Sequence, residues 1–293
     1  MRIIRYLQDS SAVTAAVTDD DQVFPLQDSS FMELVYRARE ENSSPLDRVR
    51  RQVANARPLD AKWIHLPLLV PIEAPEVWAA GVTYQRSREA RNYEATEGKL
   101  DAATFYDKVY VAERPELFLK STQARTVGPK AEVCLRSDSN WQVPEPELGL
   151  VLDRDGSILG YTIGNDMSCR DIEGENPLYL PQAKIWRQSC SIGPAIRLAE
   201  TVANPYDFEL TCRIYRQGEL AVTESANTGL LKRKLEELVS FLCRDNILFA
   251  GTVLLTGTCI VPPNQFTLKS GDRIEISISQ IGTLINTVAP ASP

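Results

Sequence analysis

Pro144-Glu145-Pro146-Glu147-Leu148-Gly149-Leu150-Val151-Leu152-Asp153-Arg154-Asp155-Gly156-Ser157-Ile158-Leu159-Gly160-Tyr161-Thr162-Ile163-Gly164-Asn165-Asp166 reads as two apolar strands about an Asp-Gly turn, a strong hairpin signal. With Asp155-Gly156 as the turn centre, Arg154 faces Ser157, Leu152 faces Leu159, Gly164 faces Glu147 and Glu145 faces Asp166. Residues two apart in a strand share a face, so Glu145 and Glu147 point the same way, with Asp166 directly across from Glu145. Opposed side chains have Cβ atoms about 4.5–5.5 Å apart. Like charges that close either hold a cation or carry raised pKa values. An E-x-E pair alone reads as solvated surface charge. The register, with Gly164 leaving room opposite Glu147, favours a metal site. A three-residue turn would slip the pairing by one and put Asp166 on the other face. Pro146 suits an edge position, where its missing N–H matters little.

Outward from this hairpin, short strands dominate: Leu117–Lys120, Phe208–Tyr215, Val253–Thr256 and Arg273–Ile278, separated by turn residues. Val77-Trp78-Ala79-Ala80-Gly81-Val82 reads as a buried strand ending in a glycine turn. Ser87–Leu100 is charged and helix-compatible, a candidate mobile lid. Thr228 is a candidate cap for a helix in which Leu231, Leu235, Leu238 and Leu242 recur at helical spacing. Upstream, Met1–Leu7 and Ala12–Thr18 read as strands, Ser30-Phe31-Met32-Glu33 as a capping box opening a helix, and Leu46–Ala56 as a second helix. Pro67, Pro71 and Pro75 break any helix near 66–75. The expected fold class is α+β, mostly β, with a small N-terminal α+β domain over 1–71 and a β-rich catalytic domain over 72–293.

The bulk numbers narrow the function classes. The 293 residues suffice for a real core, and 24% charged with 43% hydrophobic residues is ordinary for a folded protein. A net charge of −7 argues against nucleic acid as a partner but not against an anionic substrate, since a metal ion supplies local positive charge. No apolar run reaches the ~18–20 residues of a membrane span, and the N-terminal apolar stretch meets Gln8 and Asp9 too soon for a signal peptide. The six cysteines form no C-x-x-C pair, which fits reduced thiols in a cytoplasmic protein. The single histidine, His65, excludes a His-rich zinc site. Its Pro-punctuated surroundings suit a structural or surface role.

Several stretches carry a family resemblance. Pro144–Leu148 with Gly164-Asn165-Asp166-Met167-Ser168-Cys169-Arg170-Asp171 is similar to the metal-site signature of the fumarylacetoacetate hydrolase superfamily. Gly271–Ile276, Ile281–Val288 and Leu255-Thr256-Gly257-Thr258 resemble its closing strands. The likeness runs from about Val77 to Val288. It implies a mixed β-sandwich roll, a Mg²⁺ ion (Mn²⁺ or Ca²⁺ as alternatives) on Glu145, Glu147 and Asp166, and a homodimer or homotetramer. Thr258 matches a threonine lining that family's substrate pocket.

Arg114–Lys120 and Asp171-Ile172-Glu173-Gly174-Glu175-Asn176-Pro177-Leu178-Tyr179-Leu180-Pro181-Gln182-Ala183-Lys184 resemble the branch of dehydratases acting on 2-keto-3-deoxy-D-arabinonate. That branch implies a 2-keto acid substrate, loss of water through a metal-stabilised enolate, and 2-oxoglutarate semialdehyde as product, with Lys184 and Glu116 doing the proton work. A metal-held, partly desolvated lysine with a depressed pKa would serve as the base at C3. Lys184 reads equally as a partner for the substrate carboxylate or Glu145. Glu116 would handle the leaving hydroxyl, with a solvated strand-edge charge as its bland alternative. Lys120, Arg88 and Thr258 are candidate substrate contacts. Where hydrolases of the superfamily carry a histidine after the glycine turn, this chain has Gln85-Arg86-Ser87-Arg88-Glu89-Ala90. Hydrolysis of a C–C bond, or a decarboxylase or isomerase activity, is the alternative.

Overall fold

The computed structural model describes residues 1–54, 56–96 and 105–291. The chain opens as an antiparallel meander of β1 (Arg2–Gln8), β2 (Ser11–Val17) and β3 (Val23–Pro25). Two amphipathic helices follow, α1 (Phe31–Glu40) and α2 (Pro45–Ala54). Ser30 caps α1 by accepting from the Glu33 N–H at 3.1 Å, and Glu33 reaches back to accept from the Ser29 N–H at 2.6 Å. This is a capping box in which the returning carboxylate overshoots the cap by one residue.

Past a 3₁₀ turn at Trp63–His65 come β4 (Glu76–Gly81), α3 (Gln85–Thr96), α4 (Phe105–Val111), β5 (Glu116–Thr122), β6 (Thr126–Val127), β7 (Glu132–Cys134) and β8 (Gln142–Val143). The hairpin follows as β9 (Pro146–Leu152) and β10 (Ile158–Asp166). Next are β11 (Ser168–Cys169), α5 (Arg170–Glu175), α6 (Leu180–Lys184) and β12 (Cys190–Leu198). The chain closes with β13 (Glu209–Arg216), β14 (Glu219–Asn227), α7 (Leu235–Cys243), β15 (Thr252–Thr258), β16 (Arg273–Ile278) and β17 (Gly282–Ala289).

A ten-stranded sheet runs β3-β2-β1-β12-β10-β9-β15-β4-β5, with β6 beside β12, and a five-stranded sheet runs β14-β13-β16-β17-β7. Strand alternation sorts their side chains into two cores. Leu148, Leu150 and Leu152 meet Leu210, Cys212, Ile274 and Ile276 of the smaller sheet, with Leu235, Leu238 and Leu242 of α7 closing one side. The other face carries Val151, Val253 and Leu255 onto Phe31, Leu34 and Val49 of α1 and α2. This is the mixed two-sheet architecture expected. The segment 1–71 contributes β1–β3, α1 and α2, and β1 pairs with β12, so the large sheet runs on across that boundary. Among the described residues no helix is long and apolar enough to cross a membrane.

The hairpin differs from expectation at its tip. The Gly156 N–H donates to the Asp153 carbonyl at 3.0 Å, and Gly156 takes the left-handed φ of 82° that a longer turn requires. Leu152 therefore pairs with Ile158, not Leu159, and the Asp153 N–H donates to the Ser157 carbonyl. A bulge between Ile158 and Gly160 takes up the extra residue, after which Gly160 faces Val151 and Gly164 faces Glu147, as predicted.

Three smaller expectations are corrected. Pro146 is not on an edge strand, because β9 lies between β10 and β15. It is the first residue of β9, and β15 reaches only as far as Glu147, so its missing N–H faces no ladder. The space at Gly164 is filled by Leu255, whose Cδ2 would collide with a Cβ there. Thr228 does not cap the leucine helix. Its hydroxyl is spent on the Pro205 carbonyl and the Phe208 N–H, it opens a single 3₁₀ turn, and α7 begins at Leu235.

Candidate active site

The restored register places the predicted carboxylates together. The Asp166 N–H donates to the Glu145 carbonyl at 3.0 Å, which extends the β9–β10 ladder one pair past its last strand residue. One oxygen each of Glu145, Glu147 and Asp166 lies within 4.8 Å of the others, and all three side chains are buried. Glu147 shares the odd-numbered face of β9 with Val151, so the strand that builds the second core also carries the cluster. The Gly257 N–H donates to Glu147 Oε2 at 2.6 Å. Gly257 has φ 95°, and a Cβ would run into Thr83 Oγ1, so only glycine fits this approach.

Cations surround the cluster. Lys184 Nζ, at the end of α6, lies 2.5 Å from Glu145 Oε2, 3.0 Å from Glu173 Oε1 and 3.2 Å from Asp166 Oδ2, and it donates to Ser168 Oγ at 2.5 Å. Arg170 Nη2 is 3.1 Å from Glu145 Oε1. Lys120 Nζ is 2.7 Å from Asp166 Oδ1 and donates to the Met167 carbonyl at 2.8 Å and to the Lys184 carbonyl.

These surroundings split the carboxylates. Burial alone would raise the Glu145 pKa, but Lys184, Arg170 and Arg91 outweigh it and bring it to about 2. Glu147 goes the other way, well above the usual range, because burial is reinforced by the charges of Asp166 and Glu145. Burial also raises Glu116. For Lys184, burial would lower the pKa, yet Asp166, Glu145 and Glu173 hold it well above its ordinary value. The expected depressed lysine is therefore not what the ion-free charges dictate.

The donor set fits a hard divalent cation. Both Asp166 oxygens are buried without a hydrogen bond and are held only by their ion pairs. Oxygen ligands of this kind suit Mg²⁺. A cavity of about 20 Å³ touches Glu145, Glu147 and Asp166, enough for one small ion or water.

A second cavity of about 370 Å³ adjoins it, with Arg91, Glu116 and Glu173 on its lining, and Arg91 borders both spaces. Glu116 opens β5 opposite Gly81, where a Cβ would overlap its carboxylate. Arg91 Nη1 is 2.8 Å from Glu173 Oε2, and its Nη2 is 3.9 Å from Glu116 Oε1.

Of the candidate substrate contacts, Thr258 borders the smaller cavity, with its hydroxyl donating to the Ile260 carbonyl at 2.8 Å. Lys120 borders neither cavity and instead holds Asp166 from behind. Arg88 is turned away, 3.6 Å from Asp107 and stacked on Tyr110. Of the candidate lid, α3 covers Gln85–Thr96, and 97–100 lie outside the described residues. His65 is exposed.

Sequence reasoning missed Arg91, Arg170, Glu173 and Ser168 as members of the site. Arg170 and Glu173 stood inside the quoted stretches without a spacing rule to single them out. Arg91 was one charge among many in a polar helix.

Comparison with known proteins agrees with this geometry. The family described as fumarylacetoacetate (FAA) hydrolase C-terminal matches residues 86–289. The chain is 41% identical over 289 residues to 2-dehydro-3-deoxy-D-arabinonate dehydratase of Saccharolobus solfataricus, covering 98% of this chain and 96% of that one. It is 46% identical over 244 residues to the probable 2-keto-3-deoxyxylonate dehydratase of Haloferax volcanii, covering 83% and 82%. A solved 2-keto-3-deoxy-D-arabinonate dehydratase complexed with magnesium and 2,5-dioxopentanoate superposes with a TM-score of 0.85 at 36% identity, covering 100% of both chains. The chain belongs to the fumarylacetoacetate hydrolase family.

Proposed function

We propose that this chain is a Mg²⁺-dependent hydro-lyase that converts 2-keto-3-deoxy-D-arabinonate to 2-oxoglutarate semialdehyde, which is 2,5-dioxopentanoate. The observation that carries the reading is the buried Glu145–Glu147–Asp166 cluster with Lys184 against it and Glu116, whose pKa burial raises, on the lining of the adjoining cavity. The relatives that bear this activity, and the solved one that holds magnesium and 2,5-dioxopentanoate, support it. The lone histidine, His65, is exposed and borders neither cavity, which speaks against a histidine-activated water for C–C hydrolysis.

Glu145, Glu147 and Asp166 would hold the ion. When bound, it supplies a Lewis acid for the 2-keto carboxylate end of the substrate. Lys184 would take the C3 proton. Its ammonium is held protonated by the same carboxylates that would ligate the ion, so an ion held there would weaken their hold and favour the neutral amine. Glu116, whose pKa burial raises, would protonate the departing C4 hydroxyl. Lys120 holds Asp166 in place, and Thr258 bounds the space where the substrate would sit.

The test is turnover by EDTA-stripped protein given back Mg²⁺ or Mn²⁺, with 2-keto-3-deoxy-D-arabinonate beside acylpyruvates. Semialdehyde formed only with metal, and lost in Glu145→Gln and Asp166→Asn, is the expected result. Pyruvate from an acylpyruvate would instead establish a hydrolase on the same cluster. We further propose a cytoplasmic homodimer or homotetramer. The six unpaired cysteines support a reducing compartment, and light scattering of the purified protein tests the assembly.

A further inference from the structure

The two cavities differ in size and in chemistry. The space at the carboxylates, about 20 Å³, has room for an ion and little else. The adjoining space, about 370 Å³, falls in the range of roughly 300–1,000 Å³ that holds drug-sized ligands, far more than the tail of a five-carbon acid needs. Its polar groups are not spread evenly. Arg91, Glu116 and Glu173 join it to the carboxylate site through the Arg91–Glu173 and Glu173–Lys184 pairs at 2.8 and 3.0 Å. Away from them the walls are Val109, Ala112, Pro115, Leu178 and Leu180, and among the described lining residues the one other charged group, Arg114, is exposed and stacked on Phe241. An acid whose keto-carboxylate end lies at Glu145, Glu147 and Asp166 would pass its C3 and C4 by Lys184 and Glu116 and send its far end between apolar walls.

We propose that this cavity receives the distal end of the substrate and lets the enzyme take, beside the pentonate, 2-keto-3-deoxy acids with an apolar group beyond C5, such as 2-keto-3,6-dideoxyhexonates, in preference to their hydroxylated counterparts. This rests on the dehydratase reading above. The reaction balances without a further reagent: the C3–H and C4–O bonds break, water leaves, and tautomerisation gives the 2,5-diketo acid. A terminal methyl gains contact with the walls, whereas a terminal hydroxyl finds no hydrogen-bond partner in their apolar side chains.

The experiment compares kcat/KM of the Mg²⁺-loaded full chain for three acids of the same C4 configuration: 2-keto-3-deoxy-D-arabinonate, a 2-keto-3-deoxyhexonate and its 6-deoxy counterpart. The expected result is a preference of about tenfold or more for the 6-deoxy acid over the hydroxylated hexonate. Val109→Thr, nearly isosteric, and Leu178→Asn, at an exposed position, should each lower that ratio at least threefold. A ratio near one in the native chain overturns the proposal, and so does a ratio that neither variant moves. Turnover of the pentonate alone also overturns it while leaving the dehydratase reading intact. Absence of turnover with all three acids overturns both.

Discussion

Glu147 shows how a single side chain here is tuned for a partner. Its folded pKa lies well above 4.5, first because it is buried and then because Asp166 and Glu145 repel its charge. A raised carboxylate destabilises the ion-free fold increasingly as pH rises from about 4.5 towards that higher value. Glu147→Gln removes this penalty. Ion-free Glu147→Gln protein should be more stable than the native chain at pH 7, while losing its response to Mg²⁺. Thermal melts with and without the ion check both halves. Lys184→Met should do the reverse. It strands Glu145, Asp166 and Glu173 without their shared cation, a loss of about 3–5 kcal/mol for a broken buried pair, and added Mg²⁺ should restore part of it. A loss that Mg²⁺ leaves untouched would speak against coupling between the lysine and the ion. At this scale the sequence was legible where residues act through strand spacing, as Glu145, Glu147 and Asp166 do. It was opaque for Glu173 and Arg170, which arrive from a separate short helix, and for Arg88, whose charge is turned to Asp107 and Tyr110 of α4.

At the scale of elements, α1 is the part most plainly written in the chain. Its cap at Ser30 and the return of Glu33 follow from residue order alone. Hydrogen bonds from the Ser29 hydroxyl and N–H, with Arg37 in support, hold Glu33 at about 2. The stabilisation it provides is therefore complete above about pH 4.5 and lost as pH falls towards 2. Glu33→Gln should flatten that limb of the stability profile, and urea melts between pH 2 and 6 would reveal it. A profile identical to the native one would mean that the capping carboxylate contributes nothing. The leucine helix was legible in its apolar face but not in its start, because the tertiary bonds of Thr228 decide where the chain can turn helical.

For the molecule as a whole, the two-sheet architecture was readable from many short strands with turn signals. The joining of β1–β3 to the larger sheet was not, since pairing between residues as distant as Ile3 and Ile196 leaves no local mark. Because the ion binds only where the whole fold has assembled its ligands, removing it should destabilise the entire domain. The difference is about 2.7 kcal/mol when free Mg²⁺ stands a hundredfold above its Kd. Calorimetry across a Mg²⁺ series should show one transition moving with concentration, whereas a fixed midpoint would mean that no ion binds. The bulge at Leu159 carries a last consequence. It separates the length of the hairpin's tip from the spacing of its base, as a slip joint isolates a rigid flange from a pipe that changes length. Splicing on the tip side of Leu159 has a place to be absorbed. A single added residue between Gly160 and Asp166 does not, and would turn Asp166 away from the other two carboxylates. Grafted loops and labels therefore belong on the tip side.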